Sequence, residues 1–302
     1  VVTWAIARNA GWGLVLRIED LDTPRVKAGA VEGLISTLRW SGIDWDDGEI
    51  LIQSQNLEPY REAMRRLAEA GRVYPCALTR AQIEAAASAP QADSGGSPHE
   101  VVFPARLRPP LRPLDFDRVQ AEAGPEGTNW RFAVSPGQVG LVDSFAGSRS
   151  FDVSSIVGDF VVWTKRGQPS YQLAVVVDDH RQGVTQVVRG DDLLDSAARQ
   201  LMLYRALGLA PEPAYTHLPL VLGPDGRRLA KRHGDTRVDS YRERGVPPEA
   251  VIGLMAWWSG AAPERRLMPA SEFRERFSLA TLPPGPVTFT AEDDRWLLAQ
   301  AC

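Results

Sequence analysis

Between Gly13 and Gly71 the apolar residues change their period from one segment to the next. In GLVLRIED, Leu14, Val15, Leu16 and Ile18 form a short, nearly continuous apolar run that ends in acids, as a buried strand does. In AGAVEGLISTLRWSG, Val31, Leu34, Ile35 and Leu38 recur at helical spacing until Gly42 closes the pattern. LEPYREAMRRLAEAGRVY repeats the scheme, with Leu57, Tyr60, Met64 and Leu67 on one face and Gly71 as the stop. Strand and helix alternate, which predicts an α/β fold. Before them, VVTWAIARNAG reads as the end of a helix, with Gly11 at the position where a left-handed residue ends one.

The pattern breaks near Tyr74. From PCALTRAQIEAAASAP the chain enters the polar stretch QADSGGSPHE and then PARLRPPLRPL, whose prolines forbid a central strand. Residues 73–155 therefore read as an insertion with its own small α+β fold, dividing a first half, 1–72, from a second, 156–245. In that second half GDFVVWTKRGQPSYQLAVVVDD reads as two β runs around an RGQP turn, and GVTQVVRG as another strand. DDLLDSAARQLMLYRALGL reads as an amphipathic helix with Asp191 and Asp192 at its start. HLPLVLGPDG reads as a strand ending in a turn, PPEAVIGLMAWWSG as an apolar helix, and residues 246–302 as a helical tail. Trp257 and Trp258 are expected in a core rather than on a base-stacking platform.

At 302 residues the chain is long enough for a large core, and its 44% hydrophobic and 24% charged residues are those of an ordinary globular protein. A net charge of −4 argues against bulk electrostatic wrapping of nucleic acid while leaving room for a local basic face. Cys76 and Cys302, far apart and in no metal spacing, support neither a disulfide framework nor a zinc site, and a reducing cytoplasm is expected. The opening apolar run is too short for a membrane span and lacks a cleavage signal. His180, His217 and His233 show no metal spacing, and His99 lies in the low-complexity stretch.

Three constellations carry chemistry. GRRLAKRHGDTR gathers Arg227, Arg228, Lys231, Arg232 and Arg237 with His233 around two glycines, after a strand and a GPDG turn. Lys231 there is a point charge suited to phosphate oxygens, although taken alone the same run reads more readily as a solvated basic turn, and the Walker pattern is absent. LRIEDLDTPR places acids at the carboxyl end of a strand, where open α/β sheets bind ligands. If Ile18 faces the core, Glu19 faces away from it and is the candidate for a cationic group, while Asp22, Thr23 and Pro24 open a helix. Tyr171 and Arg189, each at the end of an expected strand, form either a phenol–guanidinium clamp for a carboxylate or ordinary sheet packing.

Taken together, RIEDLD, SYQLAVVVDD, VTQVVRGDDLL and RLAKRHG resemble, in order and spacing over roughly Gly13 to Gly260, the class I glutamyl-tRNA synthetases: an amino-acid-binding signature, a second-half Rossmann segment and a KMSKS-type loop. The resemblance implies a Rossmann-like class I aminoacyl-tRNA synthetase catalytic domain with an acceptor-binding-type insertion and a stem-contact-like tail. It assigns the α-ammonium of L-glutamate to Glu19, its side-chain carboxylate to Tyr171 and Arg189, and the phosphates of ATP to Lys231 with His233 beside it. The implied reaction forms glutamyl-adenylate, with Mg²⁺ assisting, and passes glutamate to tRNA.

Full-length members of that family continue into a large anticodon-binding domain and often carry Trp four residues after the arginine. Here Leu193 stands at that place, and the chain stops soon after the Trp257 helix, as in the family's short paralogues. Those attach glutamate to the modified base queuosine in the anticodon of tRNA(Asp). Many of them hold zinc through a C-x-C start, but here Cys76 is followed by Ala77 and Leu78, so no zinc is expected and the insertion is left to packing alone. The family's HIGH-type signature is expected before Val1, and full activity would depend on it. A monomer is expected, acting on tRNA, glutamate and ATP. The alternatives are an ordinary glutamyl-tRNA synthetase charging the 3′ end of tRNA(Glu), and a non-catalytic RNA-binding relative.

Overall fold

In the computed structural model, which describes residues 1–21, 29–46, 48–87, 101–124, 127–229 and 236–301, the chain opens with helix α1 (Val2–Ala10), ended by Gly11 at φ 68°. There follow β1 (Arg17–Ile18), α2 (Ala30–Trp40), β2 (Leu51–Ile52), α3 (Glu58–Glu69), β3 (Val73–Cys76), α4 (Arg80–Ala87) and α5 (Phe116–Glu122). The middle of the chain supplies β4 (Asn129–Phe132), β5 (Val139–Asp143), β6 (Gly147–Phe151), α6 (Val153–Ile156), β7 (Phe160–Thr164), β8 (Gln168–Pro169) and α7 (Tyr171–Arg181). Then come β9 (Gln186–Gly190), α8 (Leu194–Ala206), β10 (Ala214–Leu218), β11 (Val221–Leu222), α9 (Val238–Glu243), α10 (Pro248–Trp258), α11 (Ala270–Arg276), β12 (Val287–Thr288) and α12 (Ala291–Leu298). The chain divides into two compact units: residues 1–52, 188–191 and 218–302 form the first, and residues 53–187 and 192–217 the second.

In the first unit the expected strand over residues 14–18 shortens to β1, which pairs in parallel with β2. Side chains replace the ladder upstream of it. The Asp46 carboxylate accepts from the Leu14 amide, the Asp46 amide returns a bond to the Leu14 carbonyl at 2.8 Å, and Val15 is left half-exposed. Arg8 bridges Asp44 and Asp46 at 3.2 and 2.8 Å, tying this segment to α1. One core joins α1, α10 and α11 through Trp4, Ile6, Ile252, Met268 and Phe273. A second gathers Tyr241, Val251, Leu254, Phe289 and Leu297, with Trp257 and Trp258 packed against it as expected. Within α10, Gly253 lies so close to the Arg266 carbonyl that a Cβ would sit 1.6 Å from its oxygen, so no side chain fits there. The tail contains, besides its helices, a strand: β12 pairs in parallel with β11.

In the second unit α3 buries the predicted face, with Tyr60, Met64 and Leu67 fully enclosed, and Gly71 ends it at φ 61°. Four strands form an antiparallel sheet in the order β3-β4-β7-β8. A second sheet runs β6-β5-β10, with the start of β9 beyond β10; β5 meets β10 in parallel and β6 antiparallel. Tyr74, Cys76, Ile83, Phe103 and Ala133, with Leu78, Val101 and Leu107 around them, make a small apolar cluster, so Cys76 is a packed hydrophobe. The Asp143 carboxylate, buried at the end of β5, accepts from the amides of Phe145, Ala146 and His217 and lies 2.7 Å from His217 Nδ1, fastening β5 to β10.

One expected element is of the wrong type. The second β run of the 158–179 segment stops at Pro169, and YQLAVVVDD lies in the helix α7, with Ser170 at its N-cap. Leu173 through Val177 are all buried, and a helix enclosed on every side shows no 3.6-residue alternation, so β-branched valines made it read as a strand.

Candidate active site

Glu19 follows β1 directly. Ile18 is buried and Glu19 exposed, so the alternation expected of this strand end holds. Arg17 reaches the Glu19 carboxylate through Nε at 3.3 Å and Nη2 at 3.1 Å, which fixes one carboxylate oxygen and leaves the side chain open to solvent. The capping segment Asp22-Thr23-Pro24 lies outside the described residues. Arg189, half-buried, is carried by β9, whose Val188 packs against the α1–α10–α11 core. Glu19 and Arg189 thus belong to the first unit and Tyr171 to the second.

Tyr171 is the first residue of α7 rather than the end of a strand, and its ring is partly exposed. It is held from below by two buried networks. One centres on Asp178, which has no exposure and accepts from Gln53 Nε2 at 2.8 Å, Tyr60 Oη at 2.7 Å and Arg181 Nη1 at 3.0 Å. The other joins α7 to α8: Gln172 donates to Ser196 Oγ at 3.1 Å and accepts from Gln200 at 3.0 Å, while Arg199 donates to the same serine at 3.0 Å. Buried polar groups satisfied in this way fix one geometry, because any rotation of α7 would strand several of them without partners. Tyr171 lines a cavity of about 440 Å³ together with Ser170, Gln172, Arg131 and Arg199.

Lys231 and His233 lie outside the described residues. Both flanks of their segment are anchored within the first unit. Ahead of it, Leu222 bridges Arg228, the Leu229 amide donates to the Val221 carbonyl at 3.0 Å, and the Val287 and Phe289 amides bond the Leu220 and Leu222 carbonyls at 3.1 and 2.8 Å. Behind it, Tyr241 in α9 donates to Asp294 in α12 at 2.6 Å. Thus β12 (Val287–Thr288) and α12 (Ala291–Leu298), far downstream in sequence, brace the basic loop at its two ends.

Sequence reasoning missed these supports: Asp178 with its three donors, the Asp143–His217 pair, and the β12–α12 brace. For Asp178 there was a signal, since acids closing the run AVVVDD must find partners if the run is buried. For the brace there was none, because VT at 287–288 is two residues long.

The chain belongs to the class I tRNA synthetases for glutamate and glutamine (E and Q), whose catalytic-domain pattern matches residues 1–293. Within that family it is 43% identical over 299 residues to the Glutamyl-Q tRNA(Asp) synthetase of Symbiobacterium thermophilum, covering 97% of this chain and 90% of the relative. It is 44% identical over 273 residues to that of Rhodopirellula baltica, covering 87% and 80%. The glutamate–tRNA ligase of Aquifex aeolicus is 34% identical over 299 residues, covering 98% of this chain and 61% of the ligase. Among solved structures, the glutamate tRNA ligase of Elizabethkingia meningosepticum in complex with its amino acid aligns with a TM-score of 0.75 at 26% identity, covering 97% of this chain and 64% of that one. The protein is therefore a ligase of the aminoacyl-tRNA synthetase type with a mixed α/β catalytic domain, and such enzymes use ATP.

Proposed function

We propose that this chain activates L-glutamate with ATP, taken as its Mg²⁺ complex, and transfers the glutamyl group to queuosine in the anticodon of tRNA(Asp). The observation that carries the acceptor is sequence similarity: relatives named for that reaction share 36 to 44% of aligned residues, against 34% for the glutamate–tRNA ligases. In this reading residues 1–72 and 156–245 are the two halves of a Rossmann-like domain, 73–155 is an acceptor-binding insertion, and 246–302 is a stem-contact tail.

Glu19 takes the α-ammonium, and the phenol of Tyr171 and the guanidinium fork of Arg189 take the side-chain carboxylate. The α-carboxylate oxygen attacks the α-phosphorus, forming the acyl–phosphate bond as pyrophosphate leaves. Lys231, with His233 beside it, neutralises the charge building on the departing phosphates. A hydroxyl of the RNA then attacks the acyl carbon and AMP departs. The residues act by alignment and charge, so the rigid support beneath Tyr171 matters as much as the phenol itself.

The test is the acceptor. The full gene product, given ¹⁴C-glutamate and ATP, is expected to label queuosine-containing tRNA(Asp) and to leave unmodified tRNA(Glu) unlabelled. The opposite result would establish the second reading, an enzyme that charges tRNA(Glu), which the 0.75 structural match to a glutamate tRNA ligase keeps in view.

A further inference from the structure

The cavity beside Tyr171 changes character across its width. One wall is apolar: Leu78, Ile83 and Val101 continue the cluster around Cys76. The other carries three arginines that differ in what they touch. Arg80 pairs with Glu84 at 2.7 Å, and Arg199 with Asp195 at 3.2 Å. Arg131 instead donates through Nη1 to the carbonyl of Asp159 at 2.6 Å and lies over the Phe103 ring at 4.3 Å. Its Nε is buried without a hydrogen-bond partner, and among the described residues no carboxylate pairs with it. The acid on the same wall, Asp159, is already engaged by Arg108 Nε at 2.7 Å, by the Tyr74 hydroxyl at 2.6 Å and by the Val134 amide at 2.8 Å.

A second group is idle. Ser170 stands at the N-cap of α7, where a hydroxyl ordinarily accepts from the first turn, yet its Oγ caps nothing and is buried without a partner. A guanidinium with no carboxylate partner and an unused hydroxyl, on two residues that line one concavity with an apolar shelf, are costly unless something arrives to use them. A carboxylate alone would leave the shelf bare, and an apolar ligand would leave the arginine unpaired. A nucleotide has both a tetrahedral anion and a flat apolar face.

We propose that this cavity seats the nucleotide that accepts the glutamyl group, its phosphate on Arg131 and Ser170 and its base against the Leu78–Ile83–Val101 shelf. The inference rests on the functional reading above, in which Tyr171 holds the glutamate that this nucleotide receives.

Fluorescence anisotropy of a labelled, queuosine-bearing anticodon stem-loop of tRNA(Asp), titrated with the full gene product across a KCl series, tests it. Arg131→Gln keeps an amide for the Asp159 carbonyl but removes the charge; about tenfold weaker binding is expected, with the slope of log Kd against log salt reduced by about one. Ser170→Ala deletes a hydroxyl that bonds nothing, so it leaves the fold intact; about threefold weaker binding at an unchanged slope is expected. Wild-type Kd and slope in both variants would overturn the inference alone, provided the wild type still glutamylates the RNA. Loss of affinity in Arg131→Gln at an unchanged slope and with a lowered Tm would mark that arginine as a structural prop, also overturning it. No wild-type binding to this stem-loop, alongside intact glutamate-dependent pyrophosphate exchange, would remove the functional reading and the inference together.

Discussion

A carboxylate as enclosed as that of Asp178 is tolerable only because Gln53, Tyr60 and Arg181 all deliver donors to it. Asp178→Ala would strand those groups together, and a loss of about 3 kcal/mol is expected from the urea midpoint, well beyond a typical surface change. The site residues should separate by the step they serve. Arg189→Ala is expected to raise KM for glutamate in pyrophosphate exchange about a hundredfold with a smaller change in kcat, and Lys231→Ala to do the reverse; equal effects on both parameters would refute the role assignment. Glu19 was legible because strand alternation reaches one residue past Ile18. Tyr171 was legible as a residue type in its motif, but its position at a helix start was not, since an aromatic before an apolar run fits either a strand or a helix.

Helices with one exposed face, such as α3, announce themselves in sequence; α7 does not, because burial on every side erases the contrast between faces. Two-residue strands such as β1 and β12 are equally silent, since their partners, not their own residues, define them. The joint between β5 and β10 responds to acid. Burial alone would push the Asp143 carboxyl up, but the Ala146 amide, the His217 ring and the His217 amide outweigh it and hold its pKa below the ordinary 3.8. A depressed native pKa means that the unfolded chain takes up the proton first, so this stabilisation is complete well above pH 3.8 and fades as pH falls through that value toward the native one. In urea titrations the stability difference between wild type and Asp143→Asn should shrink as pH falls through about pH 4. In α10, Gly253→Ala ought to gain up to about 1 kcal/mol in helix propensity. A net loss is expected from thermal melts instead, because the Arg266 carbonyl occupies the space the methyl needs.

At the scale of the molecule, a net charge of −4 means that any attraction for RNA is local, and its salt dependence should report a few phosphates rather than a wrapped surface. Sequence and structure agree least about boundaries: sequence reads the chain as successive segments, whereas contacts group the first fifty-two residues with the last eighty-five. That grouping arises from long-range pairings, α1 with α11 and β11 with β12, which no local pattern encodes. Among the described residues no helix is long and apolar enough to cross a membrane.

The pairing of β12 with β11 also sets a timetable for biosynthesis. The second unit ends at His217 and can close while the ribosome is still translating, but the strand ahead of the basic loop stays without its neighbour until Val287 has cleared the exit tunnel. Nascent chains arrested before that point should therefore resist protease at the helices and strands of the second unit while remaining cleavable around Val221, and resistance should spread there only once the last segment emerges.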